Sequence, residues 1–385
     1  VGFTSDDDMI NQMTVNGKRG RIDMVKSTAP VHTAGGWHLL TGLSGFPSAG
    51  TFPGTDLLWQ SCWETSGDGT TVIGPQHSGV VSTATKHLNS IKAMMVAAAG
   101  APWMAMLVDL QGYYRLSGSN VTGVASRTLI NSNTVTASSS GGLLLTYTND
   151  FNTFTKVRFT TTTTLPTGLS LATDYYLVRV SATTARVATS LANAIAGTVI
   201  AYTDAGTGTH TMMIKTRATN GVGCEALFVS QTAPSTGGPN LSASAYDNPT
   251  VTAGTGTSAF QGTPSMASAA DAYATRIIHS GNATGRYGAF LPRQGADTGV
   301  ARINSFTFSG GTAYTGAGVL ALAIVKPIAE IPLPVTGMMS ERDLRSQLVS
   351  LPQIDDGACL QWLLFGAGAT TTASPFTSTL EYSWG

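Results

Sequence analysis

Short apolar runs, broken every few residues by Gly and Pro, recur along most of this chain and predict strands rather than helices. Met104–Val108, Gly318–Val325 and Cys359–Phe365 are nearly continuous, the pattern of strands covered on both faces. Ile303–Phe308 and Thr379–Trp384 alternate instead, as half-buried antiparallel strands do. Three stretches carry helical spacing. The first is capped by Ser5, has Asp6, Asp7 and Asp8 in its opening turn, and stops at Asn16-Gly17. The second runs from about Ser82 to Ala99, with Leu88, Ile91 and Met95 on one stripe. The third opens at Ser340, places Leu344 and Leu348 on one side, and ends at Pro352. Together these elements predict a mainly β fold: a β-sandwich or jelly-roll-like domain with a few short helices.

The pattern changes between Asn133 and Lys215. Threonine dominates, and the strands Leu143–Tyr147, Thr155–Phe159, Asp174–Val180, Thr184–Ala188 and Thr209–Ile214 follow as in a small sandwich of their own. The expected organisation is a host β domain in two parts, residues 1–132 and 216–385, with a module, residues 133–215, inserted in one of its loops. Residues 234–264, rich in Gly, Ser, Thr and Pro without periodicity, predict a long surface excursion.

Charge sharpens this picture. Of 385 residues only 11% are charged, and 21 Lys+Arg balance 21 Asp+Glu. Mean hydropathy is +0.11. Such a chain suits a surface covered by its own copies or by partners, where like charges would accumulate repulsion. It lacks the basic excess that coating nucleic acid requires, and the basic Lys18-Arg19-Gly20-Arg21 is offset by the nearby aspartates. Cys62, Cys224 and Cys359 have neither zinc-site nor disulfide-framework spacing, so buried free thiols are expected, with intermolecular disulfides as the alternative. The apolar stretch Ala93–Val108 is interrupted by Gly100 and Pro102 and is too short to cross a bilayer. No secretory pattern opens at Val1, so folding in a reducing cytosol is expected.

Candidate chemistry is sparse. No phosphate-binding glycine loop, nucleophile elbow or zinc-type His pair is present. His32 with His38, His77 with His87, and His279 read as ordinary loop or turn histidines rather than metal ligands or catalytic bases. Asp355-Asp356 reads as a solvated turn, because adjacent carboxylates point apart, and Asp109 reads as a strand-end acid. Trp37, Trp59, Trp63 and Trp103 are the candidate binding residues, as core or interface aromatics or, less expectedly, as sugar-stacking rings; Trp59 and Trp63 would share a strand face. No catalytic residue, cofactor or metal is expected.

Two groups of residues carry a family resemblance. In the host they are Asn16-Gly17-Lys18, Lys86-His87-Leu88, Leu107–Arg115, Tyr287–Pro292, Ser340–Leu344, Leu351–Ala358 and the terminal Trp384-Gly385. In the module they are Leu165–Leu169, Asp174-Tyr175-Tyr176 and Gly206–Thr211. These resemble tailed-bacteriophage virion structural proteins, the second group an Ig-like module common among them. The resemblance implies a non-enzymatic virion protein with an inserted Ig-like β-sandwich. Its expected role is a capsid decoration or cement protein packed on the head lattice, with the module projecting outward. The expected partners are other virion proteins and copies of itself, without nucleic acid or membrane. A tail, neck or baseplate component and a host-glycan-binding receptor protein are the alternatives.

Overall fold

The computed structural model describes residues 5–27, 34–49, 51–64, 85–96, 102–123, 125–138, 144–249, 257–261, 265–266, 275–280, 288–316, 318–345, 350–368 and 374–384. Its helices are α1 (Asp6–Thr14) and α2 (Leu191–Ile195). The first strands are β1 (Arg19–Lys26), β2 (Gly36–Leu39), β3 (Gly45–Phe46), β4 (Trp59–Ser61), β5 (Lys86–Met95), β6 (Trp103–Ser117) and β7 (Ser126–Thr128). Next come β8 (Ser132–Ser138), β9 (Leu144–Thr146), β10 (Lys156–Thr161), β11 (Asp174–Ser181), β12 (Thr184–Ala188) and β13 (His210–Lys215). Then follow β14 (Glu225–Thr232), β15 (Thr236–Asp247), β16 (Thr257–Ser258), β17 (Ser265–Met266), β18 (His279–Ser280) and β19 (Arg302–Thr315). The last are β20 (Val319–Leu333), β21 (Ser340–Asp343), β22 (Gln353–Ile354), β23 (Leu360–Gly366) and β24 (Phe376–Trp384).

Three antiparallel sheets and a closed barrel result. A central sheet runs β14-β20-β6-β23-β2, with β4 following β23's edge of β6. An outer sheet runs β21-β5-β24-β1-β3, and a third runs β18-β17-β15-β19-β7. The central sheet divides its side chains among three cores. Trp103, Ala105, Leu107, Trp362 and Leu364 pack on Ile22, Met24, Ile91, Phe376 and Leu380 of the outer sheet. Phe228, Leu320, Leu322 and Ile324 pack on Ile303, Phe306 and Phe308 of the third, where the Phe228 and Phe306 rings meet edge to face at 5.6 Å. Val108, Leu110, Leu227, Val229, Ala321, Ala323 and Ile277 form an inner cluster of their own. The mainly β, layered architecture expected from the alternation is therefore present.

That inner cluster exists because the central sheet is bridged across its two margins. Ile277 N–H donates to the Trp37 carbonyl at 2.9 Å and Leu39 N–H to that of Thr275 at 2.9 Å. On the other side Ser230 N–H donates to the Arg276 carbonyl at 2.8 Å, and Ile278 N–H to that of Phe228 at 3.1 Å. Thr275–Ile278 thus ties β2 to β14.

In the module, β8 to β13 hydrogen-bond in the ring β10-β11-β12-β9-β8-β13, so its faces are joined at both margins. Inward Val135, Leu145, Val157, Phe159, Tyr175, Leu177, Val187, Met212 and Ile214 fill it. Five of these strands coincide with the expected runs. β8 does not, because it is a short alternation in which inward Asn133 and Val135 are set among serine and threonine.

Two expected helices are strands. The Leu88, Ile91 and Met95 stripe belongs to β5, where the register against β24 shifts between Ser90↔Glu381 and Leu88↔Tyr382, leaving Asn89 as an extra residue. That bulge resets the alternation, so Leu88 and Ile91, three apart, both face the core and imitate a helical spacing. Ser340 starts β21, paired with β5 through Ser340↔Ala93 and Arg342↔Ile91, rather than capping a helix. Leu344 is buried in the core beneath; Leu348 lies outside the described residues. The first helix forms as expected, with the Ser5 hydroxyl accepting from Asp8 N–H at 3.0 Å.

β20 runs on past Val325 through Pro327 and Pro332. β14 stops pairing at Glu225↔Val325, so beyond that point β20 is an edge strand and the missing proline N–H groups break no ladder.

Candidate functional site

The chain leaves the barrel at Lys215 and immediately enters a buried polar centre. β6 gains an extra residue, Gln111, between the pairs Leu110↔Val325 and Gly112↔Ile324. The Gln111 amide donates to Asp109 Oδ2 at 2.5 Å, and its oxygen accepts from Ala218 N–H at 2.9 Å. Asp109 Oδ1 accepts from Cys359 N–H at 2.8 Å and is ion-paired with the Arg217 guanidinium. Arg217 also donates to the Cys62 carbonyl and, at 2.9 Å, to the Leu110 carbonyl. The Trp63 ring lies 4.6 Å from its Cζ. Burial alone would lower the Arg217 pKa, but the Asp109 charge beside it prevails and raises it. One arginine therefore ties the end of the module to β6, and through the shared carboxylate to the chain entering β23. A second tie lies nearby, where the Asn152 side chain receives Ser61 N–H at 2.9 Å and donates to the Ser61 carbonyl at 2.8 Å.

The thiols sit around this centre. Cys62, Cys224 and Cys359 are free and buried. Desolvation first, then a hydrogen bond with Cys359, pushes the Cys62 thiol well up. Buried thiols suit the expected structural role and leave no sulfur at the surface for crosslinking.

The outward face of the outer sheet is graded. Registers place Phe46, Val25, Thr377 and Met94 side by side, with Met339 leading into β21 beside Met94. Phe46 is 52% exposed, Met339 51% and Val25 43%. Val96, Val335 and Met338 are exposed next to them. Two residues along, the next outward row is Asp23, Thr379, Lys92 and Glu341, where Thr379 Oγ1 donates to Asp23 at 2.6 Å and Lys92 pairs with Glu341 at 3.2 Å. An apolar row thus borders rows whose charges are already neutralised within the sheet.

This row and the barrel lie at opposite ends of β5. Lys86, the first residue of β5, is ion-paired at 2.6 Å with Asp356, which shares a cavity with Tyr176 of the barrel. Met94 lies eight residues further on, about 27 Å along the strand. β6 shows the same polarity: Trp103 pairs with Leu333 just before Val335, and Tyr114 at the other end pairs with Trp59 beside the barrel.

The candidate tryptophans are mainly core. Trp59, Trp63 and Trp103 are buried, so none offers a ring face to a sugar or partner. Trp59 and Trp63 do not share a face: β4 ends at Ser61, and their rings belong to different clusters. Trp37 is half-buried against Phe365, ring centroids 5.1 Å apart.

Asp355 and Asp356 diverge, Asp355 to Lys326 at 2.9 Å and Asp356 to Lys86 at 2.6 Å, which prevents acid/base cooperation. Asp109 does not end its strand; it is the buried partner of Arg217 midway along β6. His38 is buried with Nδ1 3.2 Å from the Thr275 hydroxyl, and His87 lies in β5. His32 and His77 lie outside the described residues, while His279 pairs in β18 with Met266. Among the described residues no group of three His, Cys, Asp or Glu side chains could hold a metal ion, and no helix is long and apolar enough to cross a membrane.

Reading the sequence missed Arg217, Gln111 and the apolar row. Arg217 offered one signal, a second cation two residues beyond Lys215 at the end of the last barrel strand. The row offered none, since its members come from four separate segments.

No protein-family model matches the chain. No curated protein matches it either. Among solved structures, a chain described as "Structure of infectious bursal disease virus Gx strain" is similar at 10% identity, over 98% of this chain and 86% of that one, with a TM-score of 0.18. A likeness at that score carries no argument about fold or function.

Proposed function

We propose that this chain is a non-enzymatic structural protein of a tailed-bacteriophage particle, a decoration or cement protein seated on the head lattice. The observation that carries this reading is the apolar row Phe46, Val25, Met94 and Met339 at one end of the outer sheet, with the barrel at the other end. A protein that sits on a lattice needs a dry foot and a displayed end. Here the foot is bordered by internally neutralised charges, so repeated copies can approach without accumulating repulsion. The low charge content and the sequence resemblance of host and module support the same reading. In this role the barrel, which resembles the Ig-like modules of phage particles, projects outward, and Asp109–Arg217 holds it at a fixed attitude. The buried tryptophans speak against sugar stacking as the main activity.

Localisation of the chain on intact particles by cryo-electron microscopy, with copy number from quantified virion bands, tests the proposal. Hundreds of copies at lattice positions with the apolar row inward would support it. A few copies, or a ring or tube along the tail, would replace it with a tail, neck or baseplate role.

A further inference from the structure

At the seam between host and barrel lies a cavity of about 320 Å3 lined by Pro53, Gly54, Thr55, Gln60, Asp150, Asn152 and Arg179. Host and barrel contribute to it together, so it exists only because the module is docked where it is. Its charge is internally cancelled: Arg179 donates from Nε to Asp150 Oδ1 at 2.6 Å and from a terminal nitrogen to Oδ2 at 2.8 Å. Neither an anion nor a cation gains from entering such a site. The Asn152 side chain is committed to the Ser61 backbone and to Thr155 and acts as a wall. Gln60 differs. It is only 6% exposed, its side chain lies against Gly54, and among the described residues its amide has no hydrogen-bond partner. The amide atoms are still reached by solvent, so a ligand hydroxyl would take the place of water there. Gln60 and Asp150 line the same cavity.

We infer that this seam cavity is a binding site for one neutral sugar residue of a carbohydrate. Planar side chains of this kind, a glutamine amide beside a carboxylate and a guanidinium, present adjacent donors and acceptors that match the vicinal hydroxyls of a pyranose. The absence of net charge excludes a phosphate or an acidic sugar as the preferred occupant. Ligand pockets span about 300–1,000 Å3, so this one takes a single ring rather than an oligosaccharide. No aromatic side chain lines it, which removes the stacking that tight sugar sites use and places a single site in the millimolar range. Copies displayed side by side would convert that weak affinity into avidity. The site lies near the Tyr114 end of β6, since the Tyr113 hydroxyl donates to the Pro53 carbonyl at 2.8 Å, and therefore away from the apolar row. It is independent of the tryptophans and of where the chain sits on a particle.

The test is saturation-transfer NMR on the full chain with D-glucose, D-galactose, N-acetyl-D-glucosamine and L-rhamnose, each at millimolar concentration. At least one sugar is expected to receive saturation, with binding weakened about tenfold or more in Gln60→Leu. Because Gln60 is buried, a second variant, Thr55→Trp, fills the mouth of the cavity from an exposed position and is expected to abolish binding with the unfolding midpoint unchanged. Failure of all four sugars to bind the folded wild-type chain would overturn the inference. So would binding that survives in Thr55→Trp, because the sugar would then occupy another place.

Discussion

Arg217, two residues past the last barrel strand, is ion-paired with Asp109 in the middle of β6, and both side chains are almost wholly buried. The contact joins residues 108 positions apart in the chain and fixes the point where the module rejoins the host. Removing one partner leaves the other charge buried and uncompensated. Arg217→Met and Asp109→Leu are each expected to destabilise the protein by about 3–5 kcal/mol, whereas the double variant should recover a large part of that loss. Urea unfolding of the four proteins of this cycle measures it, and additive losses in the double variant would show that the two residues act separately.

Lys26 gives the fold a pH dependence of known sign. Its ammonium is buried and donates to the Leu43 and Pro47 carbonyls, at 3.2 and 2.7 Å, and desolvation lowers its pKa to about 8. Between pH 8 and 10.5 the unfolded chain therefore holds a proton on Lys26 that the folded chain has released. In that window this group makes stability rise with pH, by an amount on the order of 3 kcal/mol. The buried Cys62 and Cys224 thiols, whose pKa values are raised by desolvation, oppose it above about pH 9. The comparison of wild type with Lys26→Met across this range isolates the lysine: the stability of wild type minus that of the variant is expected to rise with pH.

Gly112 is required by close approach rather than by backbone conformation. A Cβ there would lie 2.4 Å from Trp59 Cζ2 and 2.5 Å from the Gln60 carbonyl oxygen. Gly112→Ala is expected to cost about 2 kcal/mol by forcing β4 away from β6, measured as a lowered unfolding midpoint. Because Gln60 moves with β4, the same variant should also disturb the seam cavity.

The apolar row is exposed, so its substitution should separate attachment from folding. Phe46→Asp combined with Met339→Lys is expected to leave the urea midpoint within about 0.5 kcal/mol of wild type. Attachment to particles lacking this protein should weaken about tenfold or more. Equal attachment by both proteins in a particle-pelleting assay would exclude the row as the foot.

The strands were legible wherever their apolar residues kept a single phase. Leu360–Phe365 and Val319–Val325 announce themselves because both faces are covered. β5 misled because the bulge at Asn89 changes the phase within the strand, and an i, i+3 pair of apolar residues then carries helical and bulged-strand meanings alike. β20 was read too short, since Pro327 and Pro332 signal a stop unless it is known that β14 has already ended. The functional surfaces were less legible. Asp109 could be singled out as an acid in an apolar strand, but its partner lay beyond the whole module. The tryptophans drew notice through their size and proved to be packing, while the row and the Gln60 cavity are made by register and docking, which no local pattern encodes.

The four residues Thr275–Ile278 have a consequence for how copies of this protein can meet. By satisfying the backbone groups of both β2 and β14 they leave the central sheet no bare ladder there, and beyond Val325 the prolines of β20 blunt the remaining margin. Neighbours crowded at high local concentration would then find no strand on that sheet to extend by hydrogen bonding. Contact is directed instead to side chains, whose shape must match before anything sticks. The central sheet of such a protein resists polymerising through its own backbone even at high concentration.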